Sequence, residues 1–384
     1  MSQSGRREYT EHPARRSLLT RRLCGWILAL ATGPGGGTWG DGPKGCLRAA
    51  RDPSIVGSYG GLVIPASGAY FGADDTTRGF TTAKGIETQL HRRMAIRNRR
   101  YGWLATCPSA ATRADAALTG PRVVPMVSFG QPATFPVKTT GWKGKGDTTS
   151  TAFGTGIDRI TNGEFDGYWS GVASALLALG VPVLLRLWQE PNGMHNPYYA
   201  AWQGGVGTGG EEAFIAAWRH VKSVFRAAGA TIDAGGNCIF IFCAQRRSTA
   251  STWQVYWPGD DVVDFSGVDL YRDTFVDAAE NAGKNWDTYT WAVAHKKPYI
   301  VCESGFVDKQ KITTAAGKFD KDGSVTGHSL ITDTRTTVIQ SPQCVAYCAW
   351  NNIGPNGNNF IDTTAASLKQ YRDFANDPYY ALTR

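Results

Sequence analysis

Residues 181–198 read VPVLLRLWQEPNGMHNPY and pass within a few positions from an apolar run to polar chemistry. The apolar run at 183–187 is typical of a strand that is buried on both faces. Arg186 interrupts it with a charge that burial alone does not explain, and Glu190 follows where the run stops. The stretch therefore predicts a buried parallel strand that ends at an ionisable residue.

A second stretch has the same pattern. Residues 297–305 read KPYIVCESG, a short β-branched strand whose acidic residue, Glu303, comes at its C-terminal end. In a parallel α/β barrel the C-terminal ends of all strands open onto one face. If both strands belong to such a barrel, Glu190 and Glu303 converge on one rim.

The alternation of strand and helix patterns decides the fold class. With 384 residues the chain has room for two modest domains or one large α/β barrel. Helical periodicity occurs at 82–101, 164–179, 211–228, 287–295 and 364–374, and strand patterns occur at 62–72, 101–107, 122–129, 181–187, 238–243, 262–271, 299–303 and 345–350. About eight strands interleaved with helices, without a Gly-rich phosphate loop after the first, predict a single (β/α)8 TIM barrel of the α/β class.

One of these helical patterns runs from Thr82 to Tyr101. It places Ile86, Leu90 and Met94 in one stripe, and its many arginines are interpreted as the solvated face of an amphipathic helix. The next strand is then expected over Tyr101–Cys107.

Residues 1–57 are predicted to form a disordered or signal-like basic arm that precedes a catalytic barrel, residues 58–384. Residues 1–60 contain nine Lys and Arg against four Asp and Glu, whereas the rest of the chain, with 31 against 28, is nearly balanced. This balance argues against a nucleic-acid partner. The apolar run at 23–31 is too short to span a bilayer, and it belongs either to a secretory signal or to a disordered arm. We expect a secreted or extracellular monomer without a membrane span.

The eight cysteines form no C-x-x-C pair and have no histidine partners at zinc-finger spacing. We therefore predict no structural metal site and no cofactor. Most of the cysteines fall within apolar strands and are interpreted as small buried side chains. Pairing of Cys344 with Cys348, or of Cys238 with Cys243, stays open for an oxidising compartment.

Two carboxylates on one rim are what a retaining glycosidase requires, one as proton donor and one as nucleophile. The content of 13 Trp and 15 Tyr exceeds the needs of a core and offers surfaces on which sugars stack. The alternative is that each glutamate forms an unrelated ion pair, for which Arg186 is a candidate partner. Tyr271 and Trp350, which also end strands, favour the chemical interpretation.

Longer motifs carry a resemblance to a known family. Residues 160–166, ITNGEFD, precede a helix, and 186–193 read RLWQEPNG. Residues 257–271, WPGDDVVDFSGVDLY, form the longest motif. The three resemble, in order, the G-x-x-D, R-x-x-H-E-M-N-G and Y-P-G-D-x-Y-V-D-W-x-G-x-D-x-Y patterns of glycoside hydrolase family 26, the β-mannanase family of clan A. The resemblance runs from about Pro65 to the C-terminus.

The resemblance implies a role for each strand-end residue. Glu190 would be the acid/base at the end of strand four and Glu303 the nucleophile at the end of strand seven. Tyr271 would hydrogen-bond the nucleophile, and Trp350 would stack under the sugar. Further residues that would bind substrate or support the site are Arg186, Gln189, Asn192, Trp202 and Asp269.

The chain departs from the family pattern beside the predicted acid/base. Gln189 stands where the family has histidine, and Pro191 stands where it has methionine. Gln-Glu-Pro is closer to the Asn-Glu-Pro of other clan A families. The sequence thus predicts a retaining endo-β-glycosidase acting on a polysaccharide, either a mannan-like or a microbial wall or capsule glycan. A carbohydrate-binding barrel with weak or no turnover and a barrel subunit of a larger assembly are the alternatives.

Overall fold

A closed barrel of eight parallel strands forms the centre of the protein. The computed structural model describes residues 50–118, 123–130, 159–192, 210–245, 253–271, 285–307, 311–314, 317–323, 329–354 and 357–380. The barrel strands are β1 Tyr70–Asp74, β2 Ile96–Tyr101, β3 Val124–Phe129, β4 Val183–Leu187, β5 Cys238–Gln245, β6 Phe265–Tyr271, β7 Tyr299–Gly305 and β8 Cys344–Trp350. Each strand pairs with the next in the chain, and β8 closes the barrel against β1. The predicted (β/α)8 fold is confirmed.

Helices surround the strands. They are α1 Ile86–Leu90, α2 Ala110–Ala116, α3 Asp166–Leu177, α4 Gly210–Ala227, α5 Asn285–Ala294, α6 Leu330–Gln340 and α7 Ala365–Ala375. Ser109, Ser329 and Thr364 accept backbone N–H groups at the starts of α2, α6 and α7, as N-caps do. Between β5 and β6 the described residues contain only a 3-10 turn, Gln254–Tyr256. Among the described helices, none is long and apolar enough to cross a membrane.

The helix predicted over Thr82–Tyr101 is wrong. α1 is five residues long, and Ile96–Tyr101 is β2, so the strand expected at Tyr101–Cys107 lies earlier in the chain. Arg97 binds Glu87 and Asp115 at 2.6 Å each, and Arg99 binds Asp115 at 2.7 Å. Because paired arginines can occupy positions that β strands normally give to apolar residues, the strand has no apolar alternation that a sequence pattern could reveal.

The N-terminal end of the barrel is closed by the segment that precedes β1. Residues 48–384 form one compact unit, and a hairpin of Gly57–Tyr59 with Leu62–Ile64 comes before β1. Arg51, 3% exposed, donates hydrogen bonds to the carbonyl oxygens of Pro65 at 2.5 Å, Gly68 at 2.6 Å and Pro342 at 2.6 Å. Ile55 is fully buried in the same core. The boundary at residue 57 stays a prediction, but these contacts join residues 51–57 to the barrel.

Removing Arg51 and Ile55 should therefore destabilise the barrel. We expect a chain that begins at residue 50 to melt close to the full-length protein. A chain that begins at residue 58 should lose about 3 kcal/mol or more, from charged hydrogen bonds and one buried isoleucine. Thermal unfolding followed by circular dichroism measures the difference. Asp52→Ala, which removes an exposed cap in the same segment, is the control, and equal melting of the two truncated chains would contradict the role of Arg51.

The cysteines of the described residues are free thiols. Six cysteines are buried and form no disulfide: Cys107, Cys238, Cys243, Cys302, Cys344 and Cys348. The interpretation as buried side chains is confirmed for these six, and neither of the two pairings left open has formed. Cys24 and Cys46 lie outside the described residues.

Candidate active site

Glu303 lies near the end of β7, at the face of the barrel onto which the C-terminal strand ends open, here called the mouth. Its side chain is 4% exposed. The guanidinium groups of Arg100 and Arg186 both donate to its Oε1, and the hydroxyl of Tyr271 donates to Oε2 at 2.6 Å. Both carboxylate oxygens are therefore held in fixed directions.

Arg186 crosses the interior of the barrel from β4. It is fully buried, and its Nη1 also donates to Oδ1 of Asp269 at 2.7 Å. A buried guanidinium is stable only with such partners, because an isolated charge loses its hydration. Arg186 is thus an ion-pair partner of Glu303, as the alternative interpretation of the sequence expected. Asp269 and Tyr271, however, bind the same two groups. The pair is one part of a network and not an isolated contact.

Glu190 lies in a turn after β4 whose backbone has an uncommon conformation. Trp188 and Glu190 have φ angles of 51° and 56°, in the left-handed region that few side chains adopt. Trp188 is buried against Trp169 and Phe214 on the helix side. The N–H of Glu190 donates to the carbonyl of Cys243 at 2.8 Å, and this bond holds the turn after β4 against β5.

The two glutamates differ in acidity. Burial, and next the negative charge of Glu303, raise the pKa of Glu190 to about 7. Burial also raises the pKa of Glu303, but Arg100, Arg186 and the Tyr271 hydroxyl outweigh it, so that its pKa lies below the ordinary value. Burial and the charge of Glu303 raise the pKa of Tyr271 well above its usual range, which keeps its hydroxyl a donor. A carboxyl group with a raised pKa at the same mouth as a carboxylate with a lowered pKa is the pairing that acid and nucleophile chemistry needs.

Arg100 was not among the residues singled out from the sequence, because it lies in the segment interpreted as a helix. Its Nε donates to Oδ2 of Asp74 at 3.2 Å, and its guanidinium carbon lies 3.9 Å from the ring centre of Trp350. No signal in the sequence alone marks it, because its direction follows only once residues 96–101 are known to form a strand. Arg97 and Arg99 bind partners outside the barrel, so the residue between Arg99 and Tyr101 faces inward.

The other predicted residues differ in exposure. Trp350 is only 9% exposed, with Arg100 over its ring and Tyr271 edge-on at 6.3 Å. Its stacking under a sugar stays a prediction. Asn192 is buried and binds the backbone N–H and carbonyl of Gln245, so it links the turn after β4 to the end of β5. The side chain of Gln245 donates to Oε2 of Glu190 at 3.3 Å.

Gln189 and Trp202 are the remaining residues predicted for the site. Gln189 is half-buried in the turn between Trp188 and Glu190. Trp202 lies outside the described residues. The structure therefore brings together Glu190, Glu303, Arg186, Asp269, Tyr271 and Trp350, and it adds Arg100 and Gln245.

Comparison with known sequences gives a partial match. No family model matches the chain. Endoglucanase H of Acetivibrio thermocellus is 28% identical over 152 residues, which cover 38% of this chain. The chain matches only 16% of the length of that relative.

Comparison with solved structures gives a match over most of the barrel. The catalytic domain of a family 26 endo-β-1,4-mannanase from Bacillus sp. JAMB-750 has a TM-score of 0.55 at 16% identity, covering 82% of this chain and 87% of that chain. The chain has the fold of these enzymes. A family 26 β-mannanase from Bacteroides ovatus has a TM-score of 0.53 at 16% identity, covering 83% of this chain and 90% of that one.

A modular endo-β-1,4-mannanase from Cellulomonas fimi, at 19% identity, has a TM-score of 0.53 and covers 81% of this chain and 71% of that one. Three mannanase structures of this family thus share the architecture of the barrel. The resemblance inferred from the motifs is confirmed at the level of the family 26 fold.

Proposed function

We propose that the protein is a retaining endo-β-glycosidase that hydrolyses a polysaccharide, with Glu190 as the general acid/base and Glu303 as the nucleophile. The observation that carries the proposal is that Arg100, Arg186 and Tyr271 hold both oxygens of Glu303 at the mouth that Glu190 also reaches. The opposite pKa directions of the two glutamates support it. A structural ion pair does not require a second, protonated carboxyl group beside it. The proposed chemistry needs no metal and no cofactor.

In the first step an oxygen of Glu303 attacks the anomeric carbon of the sugar. The bond from that carbon to the glycosidic oxygen breaks, and Glu190 gives its proton to the departing oxygen. The product is a glycosyl ester of Glu303. Arg100, Arg186 and Tyr271 direct the carboxylate oxygens before the attack, which removes part of the orientation cost of the reaction.

In the second step the roles of Glu190 reverse. Its carboxylate takes a proton from water while the water oxygen attacks the anomeric carbon, and the ester bond to Glu303 breaks. The two arginines favour this step as well, because the leaving carboxylate regains its negative charge between them. Two displacements at one carbon retain the anomeric configuration.

The substrate is proposed to be mannan-like or a microbial wall or capsule glycan. The similar proteins are β-mannanases and an endoglucanase, which supports a β-linked polysaccharide. Gln189 and Pro191 differ from the family 26 motif and leave the sugar open. We further propose that the protein acts outside the cell as a monomer.

The test is release of reducing ends from a panel of mannans, glucans, xylans and microbial wall polysaccharides. We expect one class to be shortened to oligosaccharides with an early fall in viscosity, which marks internal cleavage. The double variant Glu190→Gln/Glu303→Gln, which keeps the size of both side chains, should release nothing. Binding to the same polysaccharides without release by the wild-type protein would contradict the proposal and favour a carbohydrate-binding barrel.

A further inference from the structure

Asp74, the last residue of β1, is 1% exposed and accepts an unusual number of hydrogen bonds. Its Oδ2 accepts from Nε of Arg100 at 3.2 Å and from Nδ2 of Asn98 at 3.1 Å. Its Oδ1 accepts from the hydroxyl of Thr76 at 2.7 Å, the N–H of Thr76 at 3.1 Å and Nδ2 of Asn352 at 2.7 Å. Among these five donors Arg100 alone is charged. The other four are neutral, and they hold the Asp74 carboxylate in a position to accept from Arg100.

Arg100 is the most exposed of the charged groups around Glu303 that the structure describes, with 37% of its side chain accessible. A long side chain of this kind is mobile unless several contacts fix it. The guanidinium is planar and rigid, so two anchored nitrogens determine its plane. Nε is anchored on Asp74 and Nη2 on Glu303, and the group then lies over Trp350.

We infer that Asp74 is a positioning residue: by anchoring Nε of Arg100 it directs the guanidinium onto Oε1 of Glu303 and across the ring of Trp350. The carboxylate of Asp74 has no hydrogen bond to Glu303 or Trp350 among the contacts above, although Asp74 and Trp350 lie opposite each other where β1 pairs with β8. The inference rests on the proposed function, in which Glu303 attacks the sugar and Trp350 lies beside it. One carboxylate on β1 would then determine both the nucleophile and the shape of the sugar site.

The inference predicts the direction of a pH change. Five other strands and the turn after β4 supply the groups around Glu303, which are Asp74, Arg100, Arg186, Glu190, Asp269, Tyr271 and Cys348. If Asp74→Asn releases Arg100, Glu303 loses one of two cations that lower its pKa, and the acid limb of kcat/KM moves to higher pH. If Asp74 acted only through its own negative charge, removing that charge would move the limb to lower pH.

The experiment compares Asp74→Asn, Arg100→Met and the double variant. We expect both single variants to raise the acid limb by about one pH unit and to lower kcat/KM about ten- to a hundredfold. The double variant should match Arg100→Met alone, because Asp74 acts through Arg100. Asp115→Asn, which changes a buried carboxylate that accepts from Arg97 and Arg99 on the helix side of β2, should leave the limb in place. An unmoved or lowered limb in Asp74→Asn, or an additive double variant, would overturn the inference.

Crystal structures of the wild-type protein and Asp74→Asn separate this outcome from failure of the proposed function. If the wild-type protein cleaves no polysaccharide, the proposed function is contradicted. The position of Arg100 in the two crystal structures still tests the role of Asp74 in that case. Movement of Arg100 off Glu303 in Asp74→Asn supports it, and an unmoved Arg100 overturns it. If Asp74→Asn does not fold, Asp74→Ser, which leaves room for water beside the same donors, takes its place in both measurements.

Discussion

Replacing Glu303 by alanine is expected to lower kcat by roughly 10⁴- to 10⁶-fold on every polysaccharide that the wild-type protein cleaves. The change removes the atom proposed to attack the anomeric carbon in the first step. The variant also leaves Arg186, which is fully buried, with Asp269 as its remaining carboxylate partner among the contacts described. Rates must therefore be measured per folded molecule, with Glu303→Gln as the variant of equal size.

Asp115→Asn is the matched control for Glu303→Ala. Asp115 is also buried and also accepts from two arginines, Arg97 and Arg99, but on the helix side of β2. It should lose stability and keep its kinetics. Azide added to Glu303→Ala should yield an α-glycosyl azide from a β-configured activated substrate, because azide enters where the nucleophile was. Proton NMR of the first product of the wild-type protein can contradict this assignment. An inverted anomeric configuration would exclude Glu303 as a nucleophile.

Replacing Glu190 by alanine is expected to lower kcat/KM about 10²- to 10⁴-fold on polysaccharides. Aryl glycosides with good leaving groups should form the glycosyl ester at nearly the wild-type rate, because they depart without a proton. The wild-type profile should also fall as pH rises through about 7, the pKa at which Glu190 loses the proton that it donates. That basic limb should be absent from the profile of the Glu190→Ala variant on the activated substrates.

Glu164→Ala controls for loss of a glutamate outside the site, since Glu164 forms a pair with Arg159 at the start of the α3 region. It should keep both the rate and the basic limb. Azide added to Glu190→Ala should give the β-glycosyl azide, the opposite anomer from the Glu303 variant. A basic limb near 7 that persists without Glu190 would assign the proton donor to another group.

The strands that carry the glutamates could be predicted because their sequences are locally consistent. Residues 183–187 are apolar except for Arg186, and residues 299–302 are apolar and include Ile300 and Val301. A glutamate follows each run, so strand type and site position come from one pattern. The barrel then follows from the alternation of elements. Convergence of Glu190 and Glu303 on one rim is a property of that topology and needs no contact information.

Arg100 could not be predicted because the strand that carries it is stabilised by contacts distant in sequence. Arg97 depends on Glu87 and Asp115, ten and eighteen residues away, and these partners are visible only once the barrel has formed. Without them, a segment with four arginines between 92 and 99 has the composition of an exposed helix. The burial of Trp350 beneath Arg100 has the same origin, since it joins β2 to β8 across the interior.

The left-handed backbone at Glu190 has an evolutionary consequence. An L-residue in this conformation costs roughly 1–2 kcal/mol, which glycine does not lose, and a carboxyl group whose pKa is raised by burial adds to the cost of keeping glutamate there. A lineage released from selection for hydrolysis would therefore gain stability by drifting to glycine at this position. The rest of the mouth would be left intact to bind glycans. One codon change from glutamate to glycine would then give a more stable protein that binds glycans without cleaving them.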